Sequence, residues 1–422
     1  GRTLNGLGER VDPNTESKTN NNYKAAMTLA APINDFVKLN TRFLVANDAG
    51  EFAGAAGSAT SSGGLNTQNG GDSNVDVELS NVYFGFTGIK NTTINAGKQG
   101  LTTPWTVATQ VDGNEQTGTG ALALTTIENV TLAAAYFNET NLGTSGALGT
   151  TNAANKAIIG SRDISTVGAI VAIGPVTADA WVADMQGIFQ TYTIGAKSST
   201  TLGGLKLGAD ARFTELELDR DYIETSVANN LGVNTSDLSV NNMTNNVKDD
   251  NSLAKLTITA DYDIFNSKAV YGKTGKEGGL TALDNDASTT ALGWGVTANG
   301  KADANFYQLV AGVNILPELN LSANYVNVDY TRDSWTDLDA ANRVTFSEKE
   351  SVEEEEIYAQ LTYKMSKNLT SYVRYGIYTK DVSAHEDGRN NASHVDAADN
   401  SISSRNDEVD ETRGRIQIAY TF

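Results

Sequence analysis

Apolar and polar residues alternate with a period of two along most of this chain. Ile357, Ala359, Leu361, Tyr363 and Met365 interleave with Glu354, Glu356, Tyr358, Gln360, Thr362 and Lys364. Leu256, Ile258, Ala260, Tyr262 and Ile264 do the same with Lys255, Thr257, Thr259, Asp261 and Asp263. Nearer the start, Val37, Leu39, Thr41, Phe43 and Val45 occupy one face, and Lys38, Asn40 and Arg42 the other. Successive strand side chains point to opposite faces, so this spacing predicts strands with one apolar and one hydrophilic side. The final stretch follows the rule too, with Ile416, Ile418, Tyr420 and Phe422 on one face and Arg413, Arg415, Gln417 and Thr421 on the other. An apolar edge strand at a chain end invites aggregation. A closed barrel in a bilayer removes the edge by pairing first strand with last. A soluble β-sandwich ending on an edge strand is the competing architecture.

The strands are punctuated unevenly. Short turns, among them Ile127-Glu128-Asn129, Gly174-Pro175, Leu202-Gly203-Gly204 and Ser366-Lys367-Asn368, alternate with longer polar loops near 48–73, 100–116, 139–159, 219–250 and 381–410. The pattern predicts an all-β transmembrane antiparallel up-and-down β-barrel of about 18 strands, or 16 on a lower count, with short periplasmic turns and long extracellular loops. Residues 1–422 read as a single domain, with a weakly patterned first strand at 2–11 and a loop between Tyr330 and Val352. A slip in alternation near Ser80-Asn81 predicts a bulge. Phe36, Phe265, Tyr363, Tyr420 and Phe422 gather near the short turns, and Tyr136, Phe137, Tyr330 and Tyr378 near the loops, as two interfacial belts. Ala133, Ala135, Ala178 and Ala180 read as small outward residues, suited to a subunit interface or to lipid.

Composition narrows the choice. No run approaches the ~20 apolar residues that a spanning helix requires, and Val167–Ile173 is cut off by Gly174-Pro175. A membrane location then leaves only the barrel. Absence of a leader-like N-terminus reads as a mature, processed chain. Net charge is −20 and cysteine is absent. That balance argues against nucleic-acid binding and for an electrostatic preference for cations. His385 and His394 are the only histidines, both in the last loop, and His385-Glu386-Asp387 is not a metal-helix motif. Nothing fixes the nucleophile–base geometry of an outer-membrane hydrolase, so the chain reads as non-enzymatic. An adhesive or structural barrel would share the architecture without an open lumen. The run Glu353–Glu356 reads as a solvated strand entrance.

The polar faces are too charged for a packed core and read as the wall of a water-filled lumen. Loop 100–116 is the candidate constriction, carrying Asp112 and Glu115. Arg42, Arg212, Arg374, Arg413 and Arg415 fall on polar faces at similar heights. A basic wall facing an acidic loop would set up a transverse field across the narrowest water column.

Ile94-Asn95-Ala96-Gly97-Lys98-Gln99, Trp105, Val111-Asp112-Gly113, Gly118-Thr119-Gly120 and Leu132-Ala133-Ala134 resemble the major outer membrane porin family of Campylobacter and its relatives. Tyr23-Lys24-Ala25 through Asn34-Asp35-Phe36-Val37-Lys38 is similar as well. The resemblance covers about the first third of the chain and the last strand. It implies an 18-stranded homotrimer in a Gram-negative outer membrane, among lipid and lipopolysaccharide, passing small hydrophilic solutes and ions with a preference for cations and requiring no cofactor. It also implies a Ca2+ carboxylate at Asp112, with Asp284 or Asp286 able to add oxygens. The family's further loop carboxylate has no counterpart, because 141–150 contains no Asp or Glu.

Overall fold

The computed structural model describes residues 2–5, 22–46, 76–110, 115–145, 147–148, 152–232, 234–236, 249–338, 344–384 and 407–420. Within these, the strands are β1 (Arg2–Asn5), β2 (Asn22–Pro32), β3 (Val37–Ala46), β4 (Asp76–Phe86), β5 (Thr92–Gly100), β6 (Thr117–Ile127), β7 (Val130–Thr140), β8 (Ile164–Ile173) and β9 (Val176–Met185). They continue as β10 (Phe189–Leu202), β11 (Leu205–Leu218), β12 (Asp250–Tyr262), β13 (Phe265–Thr274), β14 (Ala302–Leu316), β15 (Leu319–Leu338), β16 (Val344–Ser366), β17 (Leu369–Ala384) and β18 (Asp407–Tyr420). All belong to one 18-stranded sheet. From β2 to β18 each strand pairs antiparallel with the next in sequence. β1 lies between the two ends, with Leu4 opposite Tyr23 of β2 and Ile418 of β18. Residues 6–11, expected to lengthen the first strand, lie outside the described residues, as does Phe422.

The alternation read from the sequence sets the two faces. Ile357 is 54 % exposed, whereas its neighbour Glu356 is 1 % exposed and turned inward. Ile416, Ile418 and Tyr420 are likewise on the outer face, as are Leu256, Ile258 and Tyr262. The short turns suit hairpins whose twist matches the strands. Asn91, Glu128 and Asp263 have positive φ, as do Gly174 and Gly203. The expected bulge is present: Arg42 pairs with Asn81 and Phe43 with Leu79, leaving Ser80 between them. Gly97, on the strand next to the bulge, has φ +131°, and a Cβ there would lie 2.4 Å from the Val82 carbonyl oxygen.

Several expectations need correction. Ala133 and Ala135 are buried on the inner face, because β7 places Leu132, Ala134 and Tyr136 outside. Phe137 is buried inside as well. Tyr330 and Tyr378 also face the interior, held by Glu354 and Arg413. Among the described residues, Tyr136, Tyr192, Tyr271 and Tyr307 are exposed aromatics toward the long-loop end. Much of 331–352 is strand and not loop, since β15 and β16 continue to Leu338 and from Val344. This extension carries charged pairs such as Arg332–Glu350 at 2.6 Å, so no apolar face announces it. On the same side, the connection 186–188 between β9 and β10 is a tight hairpin with the Ile188 N–H donating to the Met185 carbonyl at 2.9 Å.

Among the described residues three helices interrupt the long loops: α1 (Leu142–Ser145), α2 (Ala153–Gly160) and α3 (Arg220–Leu231). Asn152 caps α2 by accepting from the Ala154 and Asn155 N–H groups, and Asp219 caps α3 in the same manner. Asn155 joins the helices, donating to Asn230 and accepting from Asn229 at 2.7 Å.

Candidate functional site

Two loops fold inward and touch inward-facing side chains of the wall. The first, 101–116, leaves β5 and returns to β6. Its Leu101 and Trp105 are buried with Phe137, Met185, Phe189 and Leu216 from β7, β9, β10 and β11. Arg42 of β3 also meets the loop. Its Nε and Nη2 lie 2.9 and 2.8 Å from the Glu115 carboxylate, which is 1 % exposed. Asp112 lies outside the described residues.

The second inward loop is 275–301 between β13 and β14, a segment that reads from the sequence as a long loop but without a sign of its packing against the wall. It carries Ala291, Val296 and Ala298 onto an apolar patch of the inner wall formed by Val270, Phe306, Val326 and Val328. Lys255 of β12 holds one side, its Nζ donating to the Thr290 carbonyl at 2.6 Å and also to that of Ser288. Glu356 of β16 holds the other. The N–H groups of Trp294, Gly295 and Val296 donate to its carboxylate at 2.9, 2.7 and 3.2 Å. Gly293 lets the backbone come this close, since a Cβ there would lie 2.7 Å from the Val326 side chain. At the loop's end the half-buried Lys301 donates to Glu354 at 2.9 Å, and the Tyr330 hydroxyl donates to the same carboxylate. Burial lowers the Lys301 pKa from its ordinary value, with the Glu354 charge opposing that shift.

The two loops are joined. Leu283 N–H donates to the Trp105 carbonyl at 2.8 Å, and Gln116 Nε2 to the Leu283 carbonyl at 3.0 Å. Gln110 donates to Asp284. The helical loop 141–163 joins the assembly, with Ala147 N–H donating to the Leu283 carbonyl at 2.7 Å. The inward assembly is therefore a composite of loops and not the 101–116 segment alone.

The five arginines do not form one ladder. Arg42 is paired with Glu115, and Arg212 makes a two-point contact with Asp179 at 2.8 and 2.9 Å. Arg374, Arg413 and Arg415 do cluster, Arg374 standing opposite Arg415 in the β17–β18 register. Arg413 bridges Glu411 at 2.9 Å and Glu356 at 3.3 Å and lies 3.8 Å from the centre of the Tyr378 ring. Arg374 donates its Nε to Gln360 and sits 5.0 Å from the rings of Trp294 and Tyr358 and 5.2 Å from that of Tyr372. Arg415 donates to Gln417 at 3.0 Å. The run Glu353–Glu356 is not simply a solvated entrance: Glu354 and Glu356 serve the inner networks, while Glu353 accepts from Asn327.

Of the carboxylates expected for Ca2+, Asp112 lies outside the described residues. Asp284 accepts from Gln110 and, at 2.7 Å, from the Asp286 N–H. A hard cation takes six or more oxygens, and a carboxylate already occupied by N–H donors does not fit that demand. No group of three or more His, Cys, Asp or Glu converges among the described residues.

An up-and-down sheet of this size, apolar outside and lined within by charged side chains and inward loops, defines an outer-membrane porin barrel. The family model for the Campylobacter major outer membrane protein matches residues 9–400, and the chain belongs to that family, in the outer membrane. Among solved structures it is similar to Acinetobacter baumannii OccAB3, with 13 % identity, TM-score 0.65 and coverage of 100 % of this chain and 97 % of that one. Pseudomonas aeruginosa OpdL matches with 15 % identity and TM-score 0.63 over 100 % and 96 % of the two chains. Pseudomonas aeruginosa OpdK, solved with vanillate, matches with 12 % identity and TM-score 0.62 over 99 % and 96 %. At these identities the likeness is one of fold. No curated protein sequence matches the chain.

Proposed function

We propose that this chain is a non-enzymatic diffusion porin. It passes small hydrophilic solutes and ions through a water-filled lumen in a Gram-negative outer membrane, with weak to moderate preference for cations. One observation carries the reading: inward positions hold Arg374, Arg415 and Glu356, while Val373, Tyr375, Ile416 and Ile357 beside them on the same strands are exposed on the outer face. Charged side chains on the inside of a membrane barrel require water there. The chain works as one barrel domain over 1–422, narrowed by 100–116, with Asp112 and Glu115 as its acidic loop groups and the arginines as its basic wall. It needs no cofactor, and lipid and lipopolysaccharide are its surroundings.

Purified protein in a planar bilayer should give discrete conductance steps, and a salt gradient should give a reversal potential on the cation side. A properly folded barrel that gives no steps would favour an adhesive or structural role instead. A homotrimer follows from the family resemblance. Native mass in mild detergent should correspond to three chains, and a conducting single chain would count against the trimer.

A further inference from the structure

We infer that Glu356 is a positioning residue that sets the bore of the channel by pinning loop 275–301 against the wall; the inference rests on the porin reading. Three consecutive backbone N–H groups converge on one buried carboxylate, an arrangement whose strength depends on the negative charge. The side chain is 1 % exposed, so water is not available to replace those donors. The same carboxylate takes Arg413 at 3.3 Å, which couples the loop to the basic cluster on β17 and β18.

The geometry sets the consequence. Pinning holds the Trp294 indole 5.5 Å from the Tyr358 ring and 5.0 Å from the Arg374 guanidinium, so the loop covers the basic cluster with an aromatic cap. A glycine on each side, Gly293 and Gly295, lets the loop backbone reach the wall. Neutralising Glu356 removes the charge that the three amides and Arg413 share. The loop is then held from the Lys255 side, and Trp294 is free to leave Arg374. Two properties should change together: the water column widens, and Arg374 and Arg413 face it with less compensation. Conductance and anion permeability should both rise.

The test compares Glu356→Gln with Glu355→Gln, its outward-facing neighbour on the same strand, in single-channel recordings. The chain has no cysteine, so Leu292→Cys, in the same loop but outside the three-amide contact, can be labelled cleanly with a water-soluble thiol reagent in either background. Glu356→Gln should raise single-channel conductance by about twofold as the cross-section opens. It should also move the reversal potential toward anions and speed labelling at 292, while Glu355→Gln does none of these. Glu356→Asp keeps the charge on a shorter arm and should restore selectivity further than it restores conductance. A Glu356→Gln channel with unchanged conductance and unchanged labelling overturns the inference. If Glu356→Gln does not assemble, Trp294→Ala tests the cap alone, and unchanged selectivity there overturns it equally. Absence of conductance in the wild-type barrel would instead refute the porin reading.

Discussion

Gly97 and Glu356 show what a single residue can decide in this wall. Gly97 is held at φ +131°, where side chains are rarely tolerated, with the Val82 carbonyl oxygen where a Cβ would sit. Gly97→Ala combines backbone strain with a clash against a neighbouring strand. Strain of that kind costs about 1–3 kcal/mol. The urea midpoint for unfolding of the refolded barrel should fall with an unchanged slope, and an unchanged midpoint would show that β4 and β5 yield locally. The need for glycine there is not visible in the sequence, since φ is not written in a residue's name. Glu356 was equally opaque. In the sequence it is the last member of an acidic run, and its amide partners lie some sixty positions away in a loop with no strand pattern.

At the scale of elements, the legible parts are those in which water and lipid select residues at alternate positions. β16, β12 and β18 could be read because one face meets lipid. Ser80 betrayed its bulge because an extra residue shifts every later side chain to the other face. Where both faces are wet, or both apolar, the pattern falls silent. Beyond Tyr330 and before Val352 the sequence sets charges at adjacent positions, Arg332-Asp333 and Glu348-Lys349-Glu350, so no apolar alternation is written there, and α2 and α3 are short helices rich in polar residues, held by caps and by each other. The inner faces of β13 to β15 are apolar under loop 275–301, which blurred their alternation. The register of β18 can be checked directly. Spin labels at Gln417 and Ile418 should give opposite accessibilities, the first to a water-soluble relaxation agent and the second to oxygen in lipid. Equal values would refute the register opposite Tyr372 and Ser371.

For the whole molecule the question is how −20 overall becomes selectivity. A transverse field between an acidic loop and a basic wall was expected, yet Glu115 touches Arg42 and Asp179 touches Arg212, so these pairs neutralise each other in place. The basic cluster on β17 and β18 is offset in part by Glu356 and Glu411. What remains is the surplus acid of the chain, acting on ions as they approach. Salt screens that influence over about 8–10 Å near physiological ionic strength. Cation preference should therefore be strongest in dilute salt and fade as salt rises. Glu115→Gln frees Arg42 from its partner and adds a positive charge to the constriction. Reversal potentials in a salt gradient should move toward anions, further when Asp112→Asn is added, and the shift should shrink at high salt because it is electrostatic. A double variant that conducts normally with an unmoved reversal potential would remove loop 100–116 from selectivity and leave the preference to the surplus charge alone.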